Sequence, residues 1–239
     1  MSFLNINNVS HTYFTSRHVT KAIDHISFTV EEGEFVSLLG PSGCGKTTLL
    51  SIIAGLMQPT EGEISIDGKR PHVQHSSIGY MLQQDYLFPW KTIEENILLG
   101  LKMMKLLNET SKHDTLQLLA DIGLNGVEKQ FPRQLSGGMR QRAALVRTLA
   151  VKPKVLLLDE PFSALDFQTK LKLEDLVFDT LKQFKKTAVL VTHDIGEAIS
   201  MSDRIVLLAA KPGRIHKIFN VPEELRELKP FSVRSKEAY

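Results

Sequence analysis

Apolar and polar positions follow three rhythms along this chain. In the N-terminal third they alternate: FLNINNVSHTYF (3–14), AIDHISFTV (22–30) and GEISIDGK (62–69) read as antiparallel strands, separated by turns such as EEGE and the Asp67-Gly68 pair. Four other runs, FVSLLG (35–40), IGYMLQ (78–83), VLLLDE (155–160) and TAVLVTH (187–193), are apolar almost throughout. That is the pattern of strands buried on both faces of a parallel sheet. In TIEENILLGLKMM (92–104) and SKHDTLQLLADIGL (111–124) the apolar spacing changes to three and four, which predicts helices closed by Gly123 and Gly126. DRIVLLAA (203–210) and GRIHKIF (213–219) end the pattern as a strand and a hairpin partner, and no internal repeat or low-complexity linker interrupts it. The expected architecture is α/β: a core with a parallel sheet, an antiparallel β subdomain near the N-terminus, and an inserted helical subdomain spanning about residues 87–153. Residues 1–220 are expected to form this domain and 221–239 a short amphipathic tail, for which the sequence suggests no role.

Composition narrows the function classes. A chain of 239 residues, 42% of them hydrophobic, buries a sizeable core. Its 29 Lys and Arg against 27 Asp and Glu leave a formal charge of +2, with no block of like charges, so no nucleic-acid partner is expected. One cysteine builds no internal disulfide framework and suits a reducing compartment. MSFLNINNVS lacks the basic start and apolar run of a leader, and no stretch approaches the roughly 18 apolar residues of a membrane helix. The expectation is a soluble, cytoplasmic chain that reaches a membrane only through a partner.

Candidate chemistry begins at GPSGCGKTT (40–48), between the FVSLLG strand and a predicted helix. Gly40, Gly45, Lys46 and Thr47 satisfy the phosphate-loop pattern in its strand-loop-helix setting. Gly40, Pro41, Ser42, Gly43, Cys44 and Gly45, with Lys46, Thr47 and Thr48, are the expected nucleotide cradle. The glycines let backbone N–H groups wrap the phosphates, Lys46 neutralises β- and γ-phosphates, and the Thr47 hydroxyl ligates Mg²⁺. VLLLDEP supplies two carboxylates at a strand end. Asp159 is expected to hold the metal through water, and Glu160, facing the other way because strand neighbours alternate, to serve the attacking water. A second glycine pair, in LSGGMRQR (135–142), has the layout of an anion-binding helix start. An N-cap role explains Ser136 but not Gly137 and Gly138, which cost helix stability. For Cys44 the plainer reading is an inert thiol. His72 and His75 have H-x-x-H spacing without further ligands.

GPSGCGKTT, LSGGMRQR, VLLLDEP, SALD (163–166) and the Thr-His of 192–193 stand in the order and spacing of ATP-binding cassette (ABC) ATPases, and the chain resembles that family from Tyr13 to about Phe219. The resemblance implies a P-loop NTPase core, ATP and Mg²⁺. It also implies a homodimer in which Ser136, Gly137 and Gly138 of one subunit close over the γ-phosphate of ATP held by the other. Further residues carry over one at a time. Tyr13 matches the aromatic that stacks on adenine. Gln83, in MLQQDYLFPW, matches the glutamine that reaches Mg²⁺ and the attacking water and senses a transmembrane partner; Gln84 competes by chemistry but is disfavoured by its distance to Pro89 and Trp90. Asp166 matches the residue that acts across the dimer, and His193 the histidine that contacts the γ-phosphate. Catalysis would then fall to Glu160, His193, Gln83 and Lys46, and metal ligation to Thr47, Gln83 and Asp159. The chain departs from the family at Val146 and Thr148, in ALVRTLA, and at Lys170, where arginine is frequent; in the family none of these positions touches phosphate.

LFPW (87–90), FPRQLSGGMRQR and SDRIVLLAAKPGRI resemble the single-cassette subunits of bacterial importers, in the branch for nitrate, sulfonate and taurine that also includes thiamine pyrimidine precursors. That resemblance implies a peripheral place on the cytoplasmic face of the cell membrane, an integral membrane permease as partner and, indirectly, an extracytoplasmic solute-binding protein. Leu87, Phe88, Pro89 and Trp90 would face the permease, with a Trp90 buried at the subdomain boundary as the alternative. A soluble ABC switch acting on a ribosome, on DNA or in cofactor assembly is the second reading. A P-loop kinase is the third, and it leaves LSGGMRQR without a role.

Overall fold

A computed structural model of the protein describes residues 2–16, 18–71, 78–163, 165–183 and 185–236; His72 and His75 lie outside them. The alternating N-terminal segments form a three-stranded antiparallel sheet ordered β2-β1-β4, from β1 (Ser2–Phe14), β2 (Val19–Glu31) and β4 (Glu61–Ile66). In β2 the buried Ile26, Phe28 and Val30 alternate with exposed His25 and Ser27, as a sheet with one covered face demands.

The apolar runs build a six-stranded sheet ordered β5-β6-β7-β3-β8-β9. Its members are β3 (Phe35–Leu39), β5 (Ile78–Met81), β6 (Val155–Asp159), β7 (Thr187–Thr192), β8 (Arg204–Ala209) and β9 (Arg214–Asn220). All neighbours are parallel except β9, which returns antiparallel to β8. Every residue of β6 and β7 is buried because both faces are covered. Val155, Leu157, Val189 and Val191 pack with the N-terminal sheet and α1 (Lys46–Ile53). Leu156, Leu158, Ala188 and Leu190 pack with α6 (Phe167–Gln183) and the helices that precede β6.

Between β5 and β6 the chain is helical: α2 (Ile93–Ile97), α3 (Leu99–Met103), α4 (Glu109–Asp121), a 3-10 turn at Pro132–Gln134, and α5 (Gly137–Ala150). The single helix expected over 92–104 is broken at Leu98. The break lies beside Gly100, where a Cβ would come 2.7 Å from Val151 Cγ1, so α3 turns against the end of α5. Thr92 and Glu95 cap α2 reciprocally.

After β7 comes α7 (Ile195–Met201), and after β9 come α8 (Glu223–Arg226) and α9 (Pro230–Lys236). The segment read as a tail is not detached: Val221 and Val233 are buried, and α9 rests on α6 and α7. The consequence for function lies at the C-terminal ends of the strands. β5, β6, β7 and β3 are consecutive parallel neighbours, so Asp159 ends a strand and Gln83, Glu160, His193 and the 40–45 loop follow strands that end side by side, where open α/β sheets take ligands.

Candidate active site at the strand ends

The 40–45 loop is held tightly from behind. Gly45 has φ 87°, and a Cβ there would lie 2.3 Å from Ile23 Cγ2 and 3.0 Å from the Ala22 carbonyl oxygen. At Gly40 a Cβ would lie 2.6 Å from the Leu208 carbonyl oxygen and 2.8 Å from Cys44 Sγ. Both glycines therefore let the loop sink between β2 and β8, while Gly43, with φ 77°, faces open space. Cys44 is buried in the core behind the loop. Lys46 is also buried, and its ammonium donates to the carbonyls of Gly40, at 2.7 Å, and Pro41, at 3.0 Å. A buried cation held by neutral carbonyls is a receptor for an anion, which phosphate supplies.

Beside it, the Thr47 hydroxyl donates to Asp159 Oδ1 at 3.2 Å. Burial raises the Asp159 carboxyl above the ordinary carboxylate range, opposed by the Thr47 hydrogen bond and reinforced by the charge of Glu160. A hydroxyl and a carboxylate at the phosphate-loop helix are hard oxygen donors. They fit Mg²⁺, which uses one or two protein oxygens and completes its shell with phosphate and water.

Glu160 diverges from Asp159 for a reason other than strand alternation. It lies one residue beyond β6 with φ 48°, and its N–H donates to the Val191 carbonyl at 2.9 Å. This left-handed turn aims its carboxylate at a different set of neighbours. Glu160 Oε2 accepts from Gln83 Nε2 at 3.3 Å and lies 3.4 Å from His193 Nδ1. Gln83 is the glutamine that meets Glu160, and both it and His193 are exposed, so the group opens to solvent. Tyr13, at the end of β1, brings its hydroxyl within 3.2 Å of Thr48 Oγ1 and keeps 37% of its surface exposed beside the loop helix.

The remaining predicted residues stand at helix starts. Ser136 Oγ accepts from the Met139 N–H at 3.3 Å and opens α5. Gly137 is exposed, and a Cβ there would meet nothing nearer than an Arg140 guanidinium nitrogen at 3.8 Å. Among the described residues, no turn or close packing requires that glycine. Asp166 Oδ1 accepts from the Thr169 N–H at 3.0 Å, and its hydrogen bonds with Thr169 hold its carboxyl below the usual range.

Several residues that the sequence did not single out hold these parts together. Gln141 Nε2 donates to the Glu160 carbonyl at 3.4 Å. Arg140 pairs with Asp85 at 2.9 Å, and Arg147 donates to the carbonyls of Asp85 and Tyr86, each at 2.8 Å. The helix that begins with Ser136 is thus tied both to Glu160 and to the loop after Gln83. The available signal was polar residues recurring on one face of an otherwise apolar helix. Asn96 is fully buried; it donates to the carbonyls of Phe88, Lys91 and Thr92 and accepts from the Phe88 N–H at 2.7 Å. It therefore fixes the loop that carries Trp90, which is 70% exposed with its ring 5.3 Å from Phe88. This overturns the alternative of a buried Trp90. Val146 and Thr148 are buried, which makes the departures in ALVRTLA core residues.

Residues 23–163 match the protein family described as ABC transporter. The chain is 62% identical over 239 residues to the uncharacterized ABC transporter ATP-binding protein YtlC of Bacillus subtilis (strain 168), covering 100% of this chain and 92% of that protein. It is 45% identical over 215 residues to the aliphatic sulfonates import ATP-binding protein SsuB of Bacillus cereus, covering 90% of this chain and 84% of that one. Among solved structures it is similar to a dimeric ATP-binding cassette in a post-hydrolysis state bound to ADP and Pi, with a TM-score of 0.83 and 34% identity across 92% of this chain and 99% of that chain. With a phosphate loop, paired carboxylates and a helix-start glycine pair on one α/β frame, the chain belongs to the ABC transporter family as an ATP-hydrolysing, nucleotide-binding subunit.

Proposed function

We propose that this chain is the energy subunit of a bacterial importer for a small anion such as a sulfonate, nitrate or taurine, working as a dimer around ATP on a membrane permease. The observation that carries the transport reading is a single loop, which starts at Gln83 against Glu160 and ends at the exposed Trp90, pinned by Asn96, Arg140 and Arg147. It joins the hydrolytic carboxylate to an outward aromatic anchor of the kind that interfaces use. Among the described residues no helix is long and apolar enough to cross a membrane, so a peripheral place beneath a permease suits the chain. The likeness to a sulfonate importer subunit supports the solute class. A solute-binding protein on the far side of the membrane would deliver the solute and would not meet this chain.

In this reading Lys46 and the N–H groups of the 40–45 loop grip the phosphates of ATP, and Tyr13 stacks on adenine. Thr47, Asp159 and Gln83 would hold Mg²⁺, which when bound neutralises charge between the β- and γ-phosphates. Glu160 orients or deprotonates the attacking water, while Gln83 and His193 fix its carboxylate and His193 faces the γ-phosphate. The Ser136–Gly138 helix start, with room for an outside ligand at Gly137, presents N–H groups to ATP on the partner subunit. Asp166 acts across the same interface. Closure of the dimer moves the Gln83–Trp90 loop and with it the permease, and hydrolysis reopens it.

The test is to tag the chain in its own host, solubilise membranes gently and identify the proteins that copurify. The expected outcome is a multi-span permease, whose neighbouring solute-binding protein is then screened against sulfonates, nitrate, taurine and thiamine pyrimidine precursors. Recovery of soluble partners alone overturns the transport reading.

A further inference from the structure

Next to His193 lies a cluster of buried and part-buried charges with no part in the chemistry above. α6 contributes Lys170 and Glu174, the loop after β7 contributes Asp194, α7 contributes Glu197, and α9 contributes Arg234. Lys170 Nζ lies 2.7 Å from Asp194 Oδ2, 2.9 Å from Glu197 Oε2 and 3.9 Å from Glu174 Oε1. Arg234 donates to Glu174 Oε1 at 2.7 Å and to Asp194 Oδ2 at 2.8 Å. Glu174 has no exposed side-chain surface and Arg234 only 11%. Three carboxylates thus share two cations, with Glu174 and Glu197 buried and Asp194 27% exposed, and removing a cation leaves a buried carboxylate uncompensated.

The cluster touches the site from two sides. Asp194 follows His193 and caps α7, accepting the Glu197 N–H at 3.1 Å. The Arg234 guanidinium stands 5.7 Å above the ring of Phe167, the residue after Asp166. A cavity of about 110 Å³, lined by Glu160, His193, Lys170 and Glu197 among others, joins the cluster to the hydrolytic carboxylate. Docking of α9 has other supports: Val233 is buried, the Phe231 N–H donates to Asp175 at 2.9 Å, and Lys229 pairs with Asp179 at 2.5 Å. The arginine is therefore placed to do more than attach the helix.

We propose that Arg234 is a positioning residue for ATP hydrolysis, which neutralises the Glu174–Asp194 pair and so holds the His193 loop and the Asp166 turn in register at once. The proposal rests on the roles given above to His193 and Asp166, and it gives the C-terminal helix a function. Burial pushes Glu174 up to about 7, against the pull of Arg234 and Lys170. Loss of Arg234 raises it further, since that pull is lost. At low pH a protonated Glu174 then relieves the cluster, and at high pH Glu174, Asp194 and Glu197 are left with Lys170 alone, beside His193. The defect of an Arg234 variant is therefore smallest in acid and grows with pH.

The experiment measures kcat and KM for MgATP between pH 6 and 9 on the full chain carrying Arg234→Ala, Glu174→Gln, both together, Arg234→Lys, or His193→Ala. Arg234→Ala is expected to lower kcat about tenfold at pH 8.5 and less than about threefold at pH 6, with KM within about twofold because the phosphate loop is untouched. Adding Glu174→Gln is expected to restore most of the loss at pH 8.5. Wild-type kcat at every pH in Arg234→Ala, or a double variant no better than Arg234→Ala, overturns the proposal. Should Arg234→Ala not fold, Arg234→Lys decides: kcat within about threefold of wild type at pH 8.5 supports charge neutralisation, and a pH-independent loss beyond that refutes it. An active His193→Ala removes the role given to His193 and this proposal with it. An inactive His193→Ala beside a normal Arg234→Ala removes the Arg234 assignment alone.

Discussion

At Glu160 one carboxylate oxygen meets both Gln83 and His193, so a change of charge without a change of shape isolates its chemistry. Glu160→Gln is expected to lower hydrolysis about 10²–10⁴-fold. ATP binding persists because Lys46 and the loop are intact, and the nucleotide-bound form accumulates as a dimer in gel filtration. Hydrolysis at the wild-type rate would remove Glu160 from the mechanism. Gly45 tests the loop itself, since its φ of 87° and the close approach of Ile23 both exclude a side chain. Gly45→Ala is expected to cost about 1–3 kcal/mol in urea unfolding from backbone strain, with further loss from the clash and weakened ATP binding. Both residues were legible from local pattern. The turn that separates Glu160 from Asp159 was not, because strand alternation says nothing about the residue just past a strand's end.

Among the elements, α2 shows what a buried polar residue can organise. Asn96 falls among apolar positions of an amphipathic helix and yet satisfies three carbonyls and one N–H of the 88–92 loop. Asn96→Ala takes this partner from the Phe88 N–H and the Lys91 carbonyl, and each of the two that water cannot reach costs about 1–3 kcal/mol, while the Phe88 and Thr92 carbonyls keep the backbone N–H groups of Lys91 and Asn96. A drop in melting temperature, with faster proteolysis near Trp90, is the expected result. Trp90→Ala is expected to change unfolding stability by less than about 0.5 kcal/mol, because the ring is exposed, and to reduce capture of the permease. Loss of soluble folded protein would show instead that the ring is structural. Periodicity placed α2 and α4, whereas it gave no sign of the break at Leu98 or of the close approach of Gly100 to Val151 beside it.

Over the whole molecule, two carboxylates bend the pH dependence of stability in opposite senses. Glu174 is raised from 4.5 to about 7, so between those values the folded chain holds more protons than the unfolded one, and stability falls as pH rises through that window. Glu174→Gln is expected to flatten that decline in melting temperature. Asp24 ties β2 to β9: hydrogen bonds from Lys21, Arg214 and His25 hold its carboxyl well below the ordinary value of 3.8. Its contribution is present above that value and is lost as pH falls below it. Asp24→Asn is expected to weaken the acid limb of the stability curve, and an unchanged limb would exclude Asp24 as its source.

Strand and helix periods, the glycine loop and the order of the ATPase motifs were all readable along the chain, since each depends on neighbours a few residues away. A left-handed φ admits glycine, a strand covered on both faces excludes polar residues, and a helix start asks for a cap. The convergence of positions 83, 160 and 193 is of another kind. It exists because β5, β6, β7 and β3 lie side by side, and that order follows from how both faces of one sheet are covered by distant segments. The Arg234 cluster and the Asn96 pin likewise join residues whose partners the chain brings close only after it has packed.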